Sequence, residues 1–191
     1  MAAGPQMDAG PQTDVRPRTA VGPERDAGPQ MLMEIEETVA LALQTDGGLE
    51  FLMVNNMTLH NGMELKATGL IRPHARGFSI NVGHSEADIA LHFNPRFNVH
   101  GGTRDIIILN SKHGHSWNEE QRDGNFPFEQ GQEFEVTIVL NFDTFDIHLS
   151  NGHKIQFPNR FGAKKFKCIF FRGDAIIQDI SVKPSSRPTK R

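Results

Sequence analysis

From Leu49 onward the chain is cut into short β-favouring runs separated by turn residues, and this rhythm limits the fold more than any single motif. The runs cover 51–54, 63–69, 78–82, 89–97, 106–110, 134–141, 145–149, 154–157, 167–172 and 176–182. Asn151-Gly152, between "FDIHLS" and "HKIQFP", carries a two-residue hairpin signal, because Asn and Gly both tolerate positive φ. Asn61-Gly62 does similar work ahead of "MELKATG". Little helical periodicity follows Leu49. About ten short antiparallel strands predict an all-β sandwich or barrel.

Upstream the composition differs. "AGPQ" recurs at 3–6, 9–12 and 27–30, with mixed Asp and Arg between and no aromatic residue. Such a segment cannot bury enough apolar surface to offset the entropy of ordering its backbone, so 1–30 reads as a tail, solubilising rather than partner-binding. In 31–48, a linker or short amphipathic segment, Leu32, Ile35, Val39 and Leu43 recur at helical spacing before Gly47-Gly48. A short helix docking on the domain or a partner is the expectation, and 39–43 is also compatible with an added strand. The folded domain is expected over 49–184, and 185–191 as a basic frayed tail.

Bulk charge narrows the partners. A formal net charge of −3 does not predict a general nucleic-acid or anionic-membrane surface. One cysteine, Cys168, excludes an internal disulfide framework and fits synthesis in a reducing compartment. No apolar run has signal-peptide or membrane-spanning character. The expectation is a cytoplasmic protein; export would have to follow a non-classical route, and the basic tail leaves a nuclear location open.

The chemistry concentrates in "HFNPRFNVHGG" (92–102). A period of two sets His92, Asn94 and Arg96 on one strand face, with Leu91, Phe93 and Phe97 toward the core. Pro95 has no N–H for a ladder, which predicts an edge, a bulge or a local break. A solvated sheet surface would explain such a face equally well. The next stretch, "IIILNSKHGHSWNEEQRDGNFPF", shifts the balance. Its Trp117 lies among Ser116, Asn118, glycine, histidines and acids, a poor setting for a core residue and a good one for an exposed platform.

"H-F-N-P-R", an Asn ending the next strand, and "W-x-x-E-x-R" together resemble the galectin carbohydrate-recognition signature. "GFSINVG", "LNSK", "EEQRDGNFPFEQG" and "IQFPNRFG" extend that resemblance in order over about 49–183. It implies a two-sheet antiparallel β-sandwich of the jelly-roll kind that binds β-galactosides without metal or other cofactor. By the resemblance, His92, Asn94 and Arg96 would take the axial 4-hydroxyl of galactose, and Asn110 and Glu120 the 6-hydroxyl. Trp117 would stack on the apolar sugar face. Glu120, Arg122 and Arg96 would hold one another and reach the adjoining glucose or N-acetylglucosamine. His100 occupies a place that lines an extended site in some members. The loop "NVHGGTRD" looks about one residue longer than in the common pattern, with Gly102 where an acid sometimes stands, so preference among extended oligosaccharides stays open. A homodimer, or a monomer–dimer equilibrium, is expected.

The residues support this chemistry independently. A sugar hydroxyl both donates and accepts, so its site needs Arg to donate, Glu to accept, and Asn and His for either. Rival readings are weaker. Glu119 and Glu120 are adjacent and would not flank one glycosidic bond, so an enzyme is not expected. His113 and His115 have no cysteine partner for a structural zinc site. Arg172-Gly173-Asp174, an integrin-type tripeptide, falls where a strand-to-strand turn explains it. The serious competitor is a non-lectin scaffold on the same fold.

Overall fold

The structure, a computed structural model, describes residues 33–34, 39–45, 48–97 and 104–186. In chain order its strands begin with β1 (Met33–Glu34), β2 (Val39–Thr45), β3 (Gly48–Asn55), β4 (Leu59–His60), β5 (Met63–Ile71) and β6 (Phe78–Gly83). β7 (Ile89–Arg96), β8 (Ile106–His113), β9 (Ser116–Trp117), β10 (Gln121–Asp123) and β11 (Glu133–Leu140) follow. The last are β12 (Thr144–Leu149), β13 (Lys154–Pro158), β14 (Lys165–Phe166), β15 (Cys168–Gly173) and β16 (Ala175–Pro184).

Two sheets form a sandwich, as expected. One is 6-stranded in the order β1-β16-β5-β11-β12-β13; the other is 8-stranded in the order β10-β8-β7-β6-β15-β3-β2, with β9 beside β8. Pairing is antiparallel except at β1–β16, which is parallel. Alternation drives the assembly. Val136, Ile138 and Leu140 of β11 share one buried core with Ile80, Phe93 and Leu109 of the opposite sheet. Facing away from that core, the second sheet presents His92, Asn94 and Arg96 of β7, and these carry the site.

Two irregularities in β7 shape that outer face. Val82 pairs with Leu91 and Gly83 with Ile89, so Ala90 is skipped, and both Ala90 and Leu91 are fully buried. This bulge ends the simple alternation just before His92. The second irregularity is Pro95, which sits inside the sheet rather than at an edge: β8 pairs with it on one side through Ile107, and Phe78 of β6 begins opposite it on the other. Phe97 N–H donates to the Arg76 carbonyl across the same ladder, so the equivalent bond two residues earlier would run from residue 95 to the Phe78 carbonyl. Proline cannot make it. Asn94 Nδ2 donates to that carbonyl instead, at 2.6 Å. The break foreseen from Pro95 is thus a single substituted hydrogen bond. Gly77 lets the strands meet there, since a Cβ would lie 2.7 Å from the Pro95 oxygen.

Three local expectations are corrected. The helix expected within 31–48 is a strand where the segment is described: Val39–Thr45 pairs along β3, from Val39 with Asn55 to Thr45 with Gly48. Val39, Leu41 and Leu43 alternate at strand spacing, the alternative that 39–43 left open beside the helical spacing of Leu32, Ile35, Val39 and Leu43, and a ladder along β3 pairs the backbone groups that a short isolated helix leaves marginal. Asn151-Gly152 belongs to a three-residue hairpin loop. Gly152 N–H donates to the Leu149 carbonyl, Leu149 N–H to that of His153, and Gly152 alone takes positive φ, +83°. Asn61-Gly62 is no hairpin, because β4 pairs with β14 while β5 pairs with β11 and β16.

The Arg172-Gly173-Asp174 turn is engaged internally. Asp174 Oδ2 accepts from the N–H groups of Arg76 (2.7 Å) and Gly77 (3.4 Å). Arg172 pairs with Glu86 and stacks 4.8 Å above the Phe51 ring. Neither charged group is displayed as a free recognition element.

Candidate functional site

β7, β8, β9 and the 118–122 segment converge on one groove of about 300 Å³, lined by His92, Arg96, Ile108, Asn110, Trp117, Asn118 and Glu120. Asn94 and Arg122 adjoin it through hydrogen bonds to Arg96 and Glu120. The sequence-selected residues other than His100 therefore come together; His100 lies outside the described residues.

His92 shows how the sheet sets a side chain's chemistry. Asn81, one strand over and 1% exposed, donates through Nδ2 to the Phe170 carbonyl (3.1 Å) and to Ser79 Oγ (3.0 Å). A carbonyl only accepts, so this fixes the amide: Asn81 Oδ1 must face His92 Nδ1, 2.6 Å away. That oxygen only accepts in turn, so Nδ1 carries the imidazole proton and Nε2 keeps its lone pair. Burial, reinforced by the neighbouring Arg96 charge and opposed by Asn94 and Glu120, lowers the His92 pKa to about 4. The ring is a neutral acceptor at neutral pH.

Asn94 is equally fixed. Its Nδ2 replaces the missing proline donor, and its Oδ1 accepts from Arg96 Nε at 2.7 Å. Arg96 continues toward Glu120 Oε1, 3.9 Å away, and Glu120 Oε2 accepts from Arg122 Nη2 at 2.8 Å. The expected Arg–Glu–Arg chain is present. These side chains are a third to two-thirds exposed, so the chain orients its donors more than it stabilises the fold.

On the far wall, Asn110 Nδ2 donates to the Asn118 carbonyl at 2.8 Å, while its Oδ1 accepts from Ser111 N–H at 2.8 Å. One amide hydrogen remains to face the groove beside Glu120. Trp117 is 49% exposed, tilted against His92 with ring centroids 4.8 Å apart. It is exposed rather than core, as its polar neighbours suggested. A second cavity of about 290 Å³ shares His92 and Trp117 and continues past Lys112 to Glu86 and Arg172.

Sequence reasoning missed two supporting residues. Asn81 had a signal, since Ser79 and Asn81 place polar groups at alternate positions of an otherwise apolar run. Arg160 had none, because it follows β13 of the opposite sheet. Its Nη1 reaches the Glu119 carbonyl (2.8 Å) and lies 3.4 Å from Asn110 Oδ1, while its guanidinium rests 4.8 Å over Phe157. Arg160 thus holds the segment joining Trp117 to Glu120. His113, weighed above as a zinc ligand, pairs with Asp88 at 2.9 Å, and no group able to hold a metal ion occurs among the described residues.

A β-sandwich face that arrays matched donors and acceptors around an exposed indole defines a carbohydrate-recognition protein. The chain belongs to the galactoside-binding lectin family, whose model matches residues 50–182. It is 48% identical over 143 residues to galactose-binding lectin l-1 of Anguilla japonica, an alignment covering 75% of this chain and 100% of that one. Among solved structures it resembles lactose- and MES-liganded congerin II, with TM-score 0.65 and 38% identity over 69% of this chain and 98% of that one. It also resembles CG-16, a homodimeric agglutinin from chicken liver, with TM-score 0.66 and 34% identity over 70% and 99%. The family is one of non-enzymatic lectins.

Proposed function

We propose that the protein binds β-galactosides of the lactose and N-acetyllactosamine type through this groove. The observation that carries the reading is the fixed His92 ring, which points a lone pair into a groove where Asn94 and Arg96 supply donors. An axial 4-hydroxyl donates to His92 Nε2 and accepts from Asn94 and Arg96. The 6-hydroxyl donates to Glu120 and accepts the remaining Asn110 hydrogen. Trp117 covers the apolar sugar face, and Arg96, Glu120 and Arg122 reach the next sugar. Glucose presents its 4-hydroxyl equatorially and leaves the His92 acceptor and its donors unmatched. An unsatisfied polar group costs about 1–3 kcal/mol, or roughly 5- to 150-fold in affinity.

Retention on lactose-agarose, with elution by lactose and not by sucrose, tests the proposal, and quenching or shift of Trp117 fluorescence gives the affinity. A scaffold without sugar binding would pass through the column and show no Trp117 response. Cross-linking of glycoconjugates follows if two copies assemble, as in the homodimeric relative CG-16.

A further inference from the structure

We propose that Asp88 is a positioning residue for Trp117: its carboxylate latches the β8–β9 turn to the 84–88 loop and so orders the indole beside the groove. The proposal rests on the reading of Trp117 as the surface that covers the sugar. Trp117 stands on a slight support. β9 is two residues long and pairs with β8 alone among the described strands, Lys112 with Trp117 and His113 with Ser116. Asn118 N–H adds one bond to the Ser111 carbonyl, at 3.0 Å. So short a pairing is marginal by itself, and an exposed indole at its end needs a hold from outside the ladder.

Asp88 supplies that hold. Gly114 and His115 form the two-residue turn between β8 and β9, with a φ of +59° at Gly114. The Gly114 N–H donates to Asp88 Oδ1 at 3.1 Å. The same oxygen lies 2.9 Å from His113 Nδ1, and because a carboxylate only accepts, Nδ1 is the donor. One oxygen thus grips two successive residues of the turn. The 84–88 loop keeps its own shape by other bonds. His84 N–H donates to the Asp88 carbonyl at 2.9 Å, and Ser85 Oγ accepts from the N–H groups of Ala87 (3.2 Å) and Asp88 (3.1 Å). Two further contacts join this loop to the same hairpin. Lys112 Nζ donates to the Glu86 carbonyl at 3.2 Å while lying 5.6 Å from the Trp117 ring centroid. Phe161 contacts the rings of both His84 and His113, with centroids 6.4 and 5.6 Å away. The His113 side chain is 82% exposed, so the latch orients the turn more than it stabilises the fold.

Trp117 is the only tryptophan and the chain has no tyrosine, so indole fluorescence reports this residue alone. The test compares full-length wild type, Asp88→Ala and Asp88→Asn by time-resolved anisotropy without sugar, by lactose affinity and by thermal midpoint. Asp88→Ala is expected to enlarge the fast motion of the indole and to weaken lactose binding about 5-fold, the worth of roughly one hydrogen bond. Its thermal midpoint should stay within about 4 °C of wild type. Asp88→Asn keeps an acceptor oxygen and is expected to restore both readings, to within about 2-fold in affinity. An Asp88→Ala chain whose indole moves as in wild type overturns the proposal, and so does one whose indole loosens while lactose affinity holds. Equal losses in the Ala and Asn variants overturn it as well, because the acceptor oxygen is then not what matters. If Asp88→Ala fails to fold, His113→Ala, which removes one of the two contacts, decides by the same readings with smaller losses expected. A wild-type chain that ignores lactose refutes the galactoside reading instead, and the anisotropy without sugar still judges the latch.

Discussion

Asn81 Oδ1 lies 2.6 Å from His92 Nδ1, and this buried contact fixes which imidazole nitrogen carries the proton. Substituting Asn81→Leu removes the anchor and frees both ring orientation and tautomer. Lactose affinity should fall about 10-fold, the worth of roughly one hydrogen bond, with far-UV dichroism unchanged. Asn81→Asp retains the acceptor and should bind more tightly than Asn81→Leu. Nitrogen-15 shifts of His92 should report the Nδ1–H form in the wild-type chain and a mixture in Asn81→Leu.

The lowered His92 pKa sets the pH response. A group whose folded pKa lies below its unfolded value stabilises the fold fully above the unfolded pKa, near 6.5, and loses that contribution as pH falls toward about 4. Sugar binding needs the neutral ring, so affinity should hold between pH 8 and about 5.5 and weaken as pH approaches 4. Calorimetric titration across that range checks it. A decline centred near 6.5 would show that the ring is not shielded.

Arg160 acts from behind the groove. Replacing it by Met keeps most of the packing on Phe157 but releases the Glu119 carbonyl and Asn110 Oδ1. Lactose affinity should drop roughly 3- to 10-fold, about one hydrogen bond. The loss should be concentrated at one hydroxyl: wild type should distinguish lactose from its 6′-deoxy analogue clearly, and Arg160→Met much less. A uniform loss across both ligands would mean that Arg160 merely stabilises the fold.

Cys168 is fully buried, and burial pushes its thiol up to about 11. The thiolate fraction at pH 8 is therefore small and inaccessible. Iodoacetamide should label Cys168 only after denaturation, and sugar-binding activity should survive the reagent under native conditions.

Much of this was legible in the chain itself. Strand positions were readable because one face of each sheet is buried, which forces alternation such as Val136, Ile138 and Leu140. The His92–Asn94–Arg96 face was readable for the same reason, and Trp117 stood out by its unsuitability as core. Arg160 was not readable, and the Val39–Thr45 strand was readable only as the alternative to a short helix. Arg160 acts across the sandwich from a loop, at a separation no local pattern encodes. "VALALQT" satisfies both helical and strand spacing, and the open edge of β3 decides between them. Asn151-Gly152 was found as a turn but not as its loop class, which depends on one residue of ladder register.

The Asn94 bond to the Phe78 carbonyl has a genetic consequence. Any residue other than proline at 95 restores a main-chain donor that competes for that carbonyl, and so frees the Asn94 amide from its post. Substitutions at 94 and 95 should therefore be epistatic: Pro95→Ala costs ligand affinity while Asn94 is present, and costs little more once Asn94 is already Ala. A residue that never touches sugar thus sets how much its neighbour's identity matters, and a screen varying the two positions singly would misjudge both.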